Sequence, residues 1–250
     1  MPPTPLAGLR VLLTRPKSEG ADDWAMAFAA AGAVPVPYPT VAIVPPASWQ
    51  ALDEAVARLA GYEWMVFTSQ TAVTSVLERV PGQRFPPAIR AKIAAVGPAT
   101  ARAIEGGGGV VALLPEDNRQ EGLVEAFRSV PAGTRVLFPI ADGGRTLLAE
   151  SLRSRGCVVD VVTAYRTLPK FDLAPPPAFD VATFASPSAL RAYLAHAGRE
   201  SLAGKVVAVI GPSTAKEAAA NGILPAVART PNVDALILAI AQSRTSQGDP

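Results

Sequence analysis

The stretch that most constrains this chain occurs twice. Ile93-Ala94-Ala95-Val96 runs into Gly97-Pro98-Ala99-Thr100-Ala101, and Val207-Ala208-Val209-Ile210 runs into Gly211-Pro212-Ser213-Thr214-Ala215. Each copy reads as a short apolar strand, a Gly-Pro break and an alanine-rich helix. Where a strand stops at Gly-Pro and a helix begins, backbone N–H groups lack intrahelical partners at the positive end of the helix dipole. Such an end suits an anion. Two of them in one chain suggest two similar units facing a shared anionic ligand.

The repetition extends beyond these stretches. Phe67-Thr68-Ser69-Gln70-Thr71-Ala72-Val73 parallels Phe184-Ala185-Ser186-Pro187-Ser188-Ala189-Leu190. The segment from Val11-Leu12-Leu13 through Gly32 and Tyr38 parallels that from Val136-Leu137-Phe138 through Gly156 and Tyr165. The helix after Glu121 parallels the helix after Asp234. Four blocks in one order mark an internal duplication: strand–helix–strand, then strand–Ser–helix, then strand–Gly-Pro–helix. Strands alternating with helices predict an α/β protein with parallel sheets, and nearly uninterrupted apolar strands predict sheets covered on both faces. Among the elements so read are a helix over 21–31 capped by Ser18, a strand over 135–138 halted by Pro139, a strand over 158–165, and a frayed tail from about residue 243.

Composition narrows the function classes. The chain has 250 residues, enough for one or two domains. Its net charge of +2 carries no clustered basic stripe, which argues against a nucleic-acid partner and a membrane surface. No apolar run approaches the roughly 18 residues of a membrane span. The start, Met1-Pro-Pro-Thr-Pro-Leu, shows no basic segment followed by an apolar one, so no secretory signal is read there. Cys157 is the single cysteine, which reads as a small buried hydrophobe in a reducing cytoplasm. One histidine, His196, and one cysteine give no metal-ligand cluster, and no partner for a Cys157 nucleophile is evident, since His196 lies late in a helix and reads as surface or interhelical. The glycine run Gly106–Gly109 follows a helix and lacks dinucleotide-fingerprint spacing.

Leu13-Thr14-Arg15-Pro16, Trp64-Met65-Val66-Phe67-Thr68-Ser69, Val96-Gly97-Pro98-Ala99-Thr100-Ala101, Ala164-Tyr165-Arg166-Thr167 and Ile210-Gly211-Pro212-Ser213-Thr214-Ala215 together resemble the uroporphyrinogen-III synthase family. The resemblance runs from Leu9 to about Ala241. It implies two similar parallel-sheet α/β domains joined by two extended linkers around a cleft. The resemblance further implies that one domain is discontinuous, here residues 1–38 with 171–250, that 42–166 form the other, and that linkers lie near 39–41 and 167–170, where the proline-rich breaks fall. The repeat by itself fits a simple split near residue 130 equally well.

The resemblance also implies a ligand and a reaction. The family's substrate is hydroxymethylbilane, a linear tetrapyrrole rich in carboxylates, closed with inversion of the last ring and loss of water. No cofactor and no metal are implied, and the precedent is a cytoplasmic monomer. Tyr165 matches the family's cleft tyrosine and is the candidate catalytic residue, a phenol able to donate toward a departing hydroxyl. Thr100 and Thr214, with Gly97, Gly211 and Ser213, match the two Gly-Pro motifs and are candidate substrate contacts. Ser69, Ser186 and Arg15 follow strand ends and join them. The competing role for the threonines and serines is capping of their own helices. Lys17, Arg119, Arg145 and Arg166 are further basic candidates. A rival reading is a two-lobed, catalytically inactive sensor of a carboxylate-rich small molecule.

Overall fold

The computed structural model describes residues 4–16, 23–86 and 89–245. Ser18 and Lys17 lie outside them. In chain order the strands are β1 (Arg10–Leu13), β2 (Val34–Pro37), β3 (Val41–Val44), β4 (Trp64–Phe67), β5 (Lys92–Ala95), β6 (Val111–Leu113), β7 (Arg135–Ala141), β8 (Val158–Pro169), β9 (Val181–Phe184), β10 (Val206–Val209) and β11 (Ala226–Val227). The helices are α1 (Asp23–Ala30), α2 (Gln50–Ala57), α3 (Gln70–Arg79), α4 (Pro98–Gly106), α5 (Gln120–Ala126), α6 (Leu147–Ser154), α7 (Pro187–Ala197), α8 (Pro212–Ala220) and α9 (Val233–Thr245). The chain divides into two compact units, Met1–Ile43 with Leu168–Pro250 and Val44–Thr167.

Each unit is built on one sheet. The first sheet runs β11-β10-β9-β1-β2 and the second β3-β8-β7-β4-β5-β6. The pairs along the first sheet, and those from β8 to β6 in the second, are parallel. With β3 set aside, the second order read backwards is β6-β5-β4-β7-β8. That is the first order, with β4, β5 and β6 standing for β9, β10 and β11, and β7 and β8 for β1 and β2. Each unit therefore unites the strand–helix–strand segment of one repeat copy with the longer segment of the other. A cut near residue 130 would break the ladder pairing Val11 with Val181 and Leu13 with Thr183.

Alternation along the strands builds a core on each face of each sheet. In β1, Val11 and Leu13 join Phe28, Leu236 and Ile240 on one side, while Leu12 joins Phe184, Leu190 and Tyr193 on the other. In β4, Met65 and Phe67 meet Val73, Val76 and Ile104, while Val66 meets Phe127, Phe138 and Leu148. A strand buried on both faces must be apolar at every position, which is why these runs carry no alternation in their sequence. Each large apolar side chain so buried contributes about 1.5–3 kcal/mol.

Three boundaries differ from the sequence expectation. β7 continues through Pro139 to Ala141, because its pairing with β4 extends only over Trp64↔Val136 and Met65↔Leu137. Past Leu137 one side of β7 has no ladder to lose, and a strand tolerates proline there. β8 continues past Tyr165 to Pro169 because β3 lies against it as a neighbour, so the backbone finds partners in a ladder. The chain passes from one unit to the other inside these two strands, at 43/44 and 167/168. Finally, α9 runs to Thr245, beyond the expected start of a frayed tail. It is held by buried Leu236, Ile237 and Ile240, with Ser243 Oγ donating to Ile240 O at 2.8 Å.

Candidate active site

Open parallel sheets bind ligands beyond the carboxyl ends of their strands, where the strand order reverses. In the Val44–Thr167 unit the reversal lies between β4 and β7. These strands part after Met65 and Leu137, while β4 runs on to Phe67 and β7 to Ala141. Just past β4, Ser69 takes an extended conformation and its Oγ accepts from Ala72 N at 3.1 Å, capping α3. On the neighbouring strand end, Gly97 begins α4 in an extended conformation, Pro98 occupies its first turn and Thr100 is buried. Gln70 Nε2 donates to Ala99 O at 3.2 Å and ties the two helix starts together.

Tyr165 enters this edge from β8 by way of a bulge. The ladder pairs Pro139 with Val162, Ile140 with Thr163, and then Ala141 with Tyr165, leaving Ala164 as the extra residue. In a regular strand Ala164 and Tyr165 would point to opposite faces. The bulge resets the alternation. Val162, Ala164 and Tyr165 accordingly all pack on the face that holds Phe67, Ala72 and Val73. From there the phenol donates to Ser69 Oγ at 3.1 Å. Burial pushes the phenol pKa up. The group therefore stays protonated at neutral pH and above.

In the unit formed by both chain ends, the reversal lies between β1 and β9, and it is laced shut. Thr14 Oγ1 donates to Thr183 O at 2.7 Å and Thr183 Oγ1 to Leu12 O at 2.8 Å, with both threonines buried. Ser186 caps α7, accepting from Ala189 N at 3.2 Å, and its Oγ lies 2.9 Å from Ser188 Oγ. On the next strand end Gly211 and Pro212 start α8 and Ser213 is exposed. Thr214 is fully buried, and among the described residues its Oγ1 is a buried side-chain oxygen with no hydrogen-bond partner. Tyr38, the repeat counterpart of Tyr165, gives its hydroxyl to Ala174 O at 2.6 Å and is itself buried.

Residues 22–238 match the sequence profile described as Uroporphyrinogen-III synthase HemD. The chain belongs to the uroporphyrinogen-III synthase family. It is 37% identical over 165 residues to the uroporphyrinogen-III synthase of Synechococcus elongatus, an alignment spanning 65% of this chain and 62% of that protein, just under two thirds. The fold is shared with the crystal structure of a mutant uroporphyrinogen III synthase from Thermus thermophilus, at TM-score 0.61 and 19% identity, covering 97% of this chain and 100% of that one. It is shared as well with uroporphyrinogen-III synthetase from Helicobacter pylori, at TM-score 0.61 and 17% identity, covering 95% and 99%.

Within this uroporphyrinogen-III synthase family member, the candidates fall into local groups. Tyr165 and Ser69 touch, and Gly97 and Thr100 stand on the adjoining strand end. Ser186 adjoins Gly211, Ser213 and Thr214 in the same manner, on β9 and β10. Arg15 follows β1 on the other side of β9, and its guanidinium lies 5.1 Å from the centroid of the Trp24 ring. Capping accounts for one hydrogen bond of Ser69 and one of Ser186. It does not account for Thr214, because Gly211 holds the cap position of α8.

The remaining basic candidates are engaged locally. Arg119 pairs with Asp117 at 2.7 Å and Arg145 with Glu121 at 2.8 Å, each holding its carboxylate partner below the usual range. Arg166 Nε donates to Pro45 O. Among the described residues no group of three or more His, Cys, Asp or Glu is placed to hold a metal ion, and no helix is long and apolar enough to cross a membrane. Sequence reasoning missed Gln70 and the bulge at Ala164. A glutamine after a cap residue has many uses, and a bulge is written in the pairing of two strands, not in either one alone.

Proposed function

We propose that this protein cyclises hydroxymethylbilane to uroporphyrinogen III, inverting the last pyrrole ring with loss of water. The observation that carries the reading is the family match across residues 22–238. The geometry supports it: helix N-termini and hydroxyls at neighbouring strand ends suit the carboxylates of a linear tetrapyrrole. Thr100, Thr214, Ser213, Gly97, Gly211, Ser186 and Arg15 hold substrate, and the Tyr165–Ser69 pair serves the departing hydroxyl. Hydroxymethylbilane closes readily without help to the uninverted isomer. The protein's task is to hold the flexible chain in the conformation that favours the inverted product, which is catalysis by positioning. The enzyme works as a cytoplasmic monomer on this reading, and its free, buried Cys157 fits a reducing compartment.

The test is to give purified protein freshly prepared hydroxymethylbilane and to separate the isomers after oxidation. Type III product formed faster than the spontaneous type I product is expected. Type I alone, at the spontaneous rate, sinks the assignment.

Thr214 separates substrate binding from a structural role. A buried hydroxyl without a partner is a stability defect of about 1–3 kcal/mol. Thr214→Val replaces it with a methyl of similar size and should raise stability by about 1 kcal/mol. Thr214 Oγ1 is covered in this structure, so contact with a substrate carboxylate requires that binding uncover it; on that reading the same change should lower kcat/KM for type III formation about tenfold, the loss of one hydrogen bond to a charged group. Urea unfolding and steady-state kinetics on one preparation read both effects. A variant that is less stable and equally active would return Thr214 to a structural role.

A further inference from the structure

We propose that Tyr165 serves the reaction through Ser69, holding that hydroxyl so that its one uncommitted hydrogen is presented to an acceptor oxygen of the substrate. The inference rests on the proposed cyclisation and assigns roles within it. A serine hydroxyl has two acceptor lone pairs and one donor hydrogen. Ser69 Oγ accepts from Ala72 N at 3.1 Å and from the Tyr165 hydroxyl at 3.1 Å, which fills both lone pairs. What remains is its own hydrogen, two residues past the end of β4 at the start of α3. The phenol of Tyr165 has a single hydrogen, and that hydrogen is spent on Ser69. Ser69 is thus the donor that touches substrate, and Tyr165 is a positioning residue.

Three further observations agree. The extra residue at Ala164 turns Tyr165 onto the Ser69 face, an arrangement a regular strand would not give. A serine rotor fixed by two incoming hydrogen bonds is already oriented, so no rotational freedom is lost when substrate arrives. The other unit lacks the device. There Tyr38 gives its hydroxyl to Ala174 O, and Ser186 meets a second serine, Ser188, in place of a tyrosine.

A mutant cycle on the full chain decides. Ser69→Ala is expected to lower kcat for type III formation about tenfold or more, and Tyr165→Phe about three- to tenfold, with KM changing less than kcat in both. In the double variant, Tyr165→Phe should add nothing: its kcat should match that of Ser69→Ala within about twofold, as for groups acting as one unit. Ser69→Ala also loses a helix cap, so Ser69→Asn is included. Asparagine caps comparably well but offers no hydroxyl, and it should be as impaired as alanine while melting near wild type. Ser69→Thr restores the hydroxyl and should recover most of the rate. Independent, multiplicative losses in the double variant, or full activity in Ser69→Asn, overturn the proposal. Wild-type protein that makes no type III isomer fails the reaction assignment itself, whereas wild-type turnover with multiplicative losses fails the Ser69 route alone.

Discussion

Gly122→Ala destabilises the protein by about 2–4 kcal/mol, although alanine is the better helix former by about 1 kcal/mol. Gly122 lies inside α5, and a Cβ built there would sit 2.1 Å from Asp117 O and 3.0 Å from Asp117 Cβ. The obstacle is mainly backbone and cannot swing aside. Asp117 O is fixed by Arg119 N, which donates to it at 2.7 Å, and the Asp117–Arg119 ion pair reinforces that turn. To relieve the clash, the turn from Asp117 to Arg119 has to move as a body. Asn118 moves with it, and Asn118 stands against Gly97, where a Cβ would meet its own Cβ at 3.4 Å. The variant should therefore lose type III activity as well as stability. Gly106→Ala is the matched control. Gly106 ends α4 with nothing within 4 Å of a new Cβ, and the change there should stabilise by about 0.5–1 kcal/mol. Urea midpoints of the two variants should move in opposite directions. A neutral Gly122→Ala would mean that the Asp117 turn yields freely.

How much of this was legible in the residues differs between fold and site. The duplication exposes the strand–helix order of both copies, because Phe67-Thr68-Ser69 and Phe184-Ala185-Ser186 carry the same instruction: end a strand, cap a helix. The winding of the sheets is not written there. Whether β1 pairs with β9 or stays with its own copy depends on contacts between residues about 170 apart, such as Thr14 with Thr183. Strand ends are not written in the strand's own residues where a neighbour decides them. Pro139 reads as a stop, yet it lies where β7 has already left β4. Residues 167–169 read as linker, yet β3 lies alongside and makes them strand.

At the site, residue types were legible and their roles were not. Tyr165 stands out as an isolated phenol after an apolar run. That its hydrogen goes to Ser69 depends on a bulge that no pattern in 158–165 announces. Thr100 and Thr214 look interchangeable in their motifs, and both are buried. Thr214 is fully buried with its Oγ1 unpartnered, which nothing in Gly-Pro-x-Thr-Ala announces.

Phe67→Ala tests how far the site depends on the core beneath it, and should cost about 3–5 kcal/mol of stability. Phe67 is fully buried at the last position of β4, two residues before Ser69. Its ring meets Phe85 edge-on, with centroids 6.0 Å apart, and shares its cluster with Val73, Ile93, Leu137 and Ala164. Truncation removes the apolar contacts and leaves a cavity that the surrounding strands can only partly close. The aromatic pair adds about 0.5–1.5 kcal/mol that any aliphatic replacement also forfeits. Phe67→Leu keeps most of the volume and should cost about 1–1.5 kcal/mol. The functional consequence follows from position. Ala164, immediately before Tyr165, packs on the same cluster, so a void there loosens Ser69 and Tyr165 together. At a temperature where Phe67→Ala remains folded, its type III rate should fall while the spontaneous type I background persists, shifting the isomer ratio toward type I. Phe67→Leu should keep the wild-type ratio. Stability lost with an unchanged isomer ratio would mean that the Tyr165–Ser69 geometry is held by the strands alone, independently of the side chains packed beneath them.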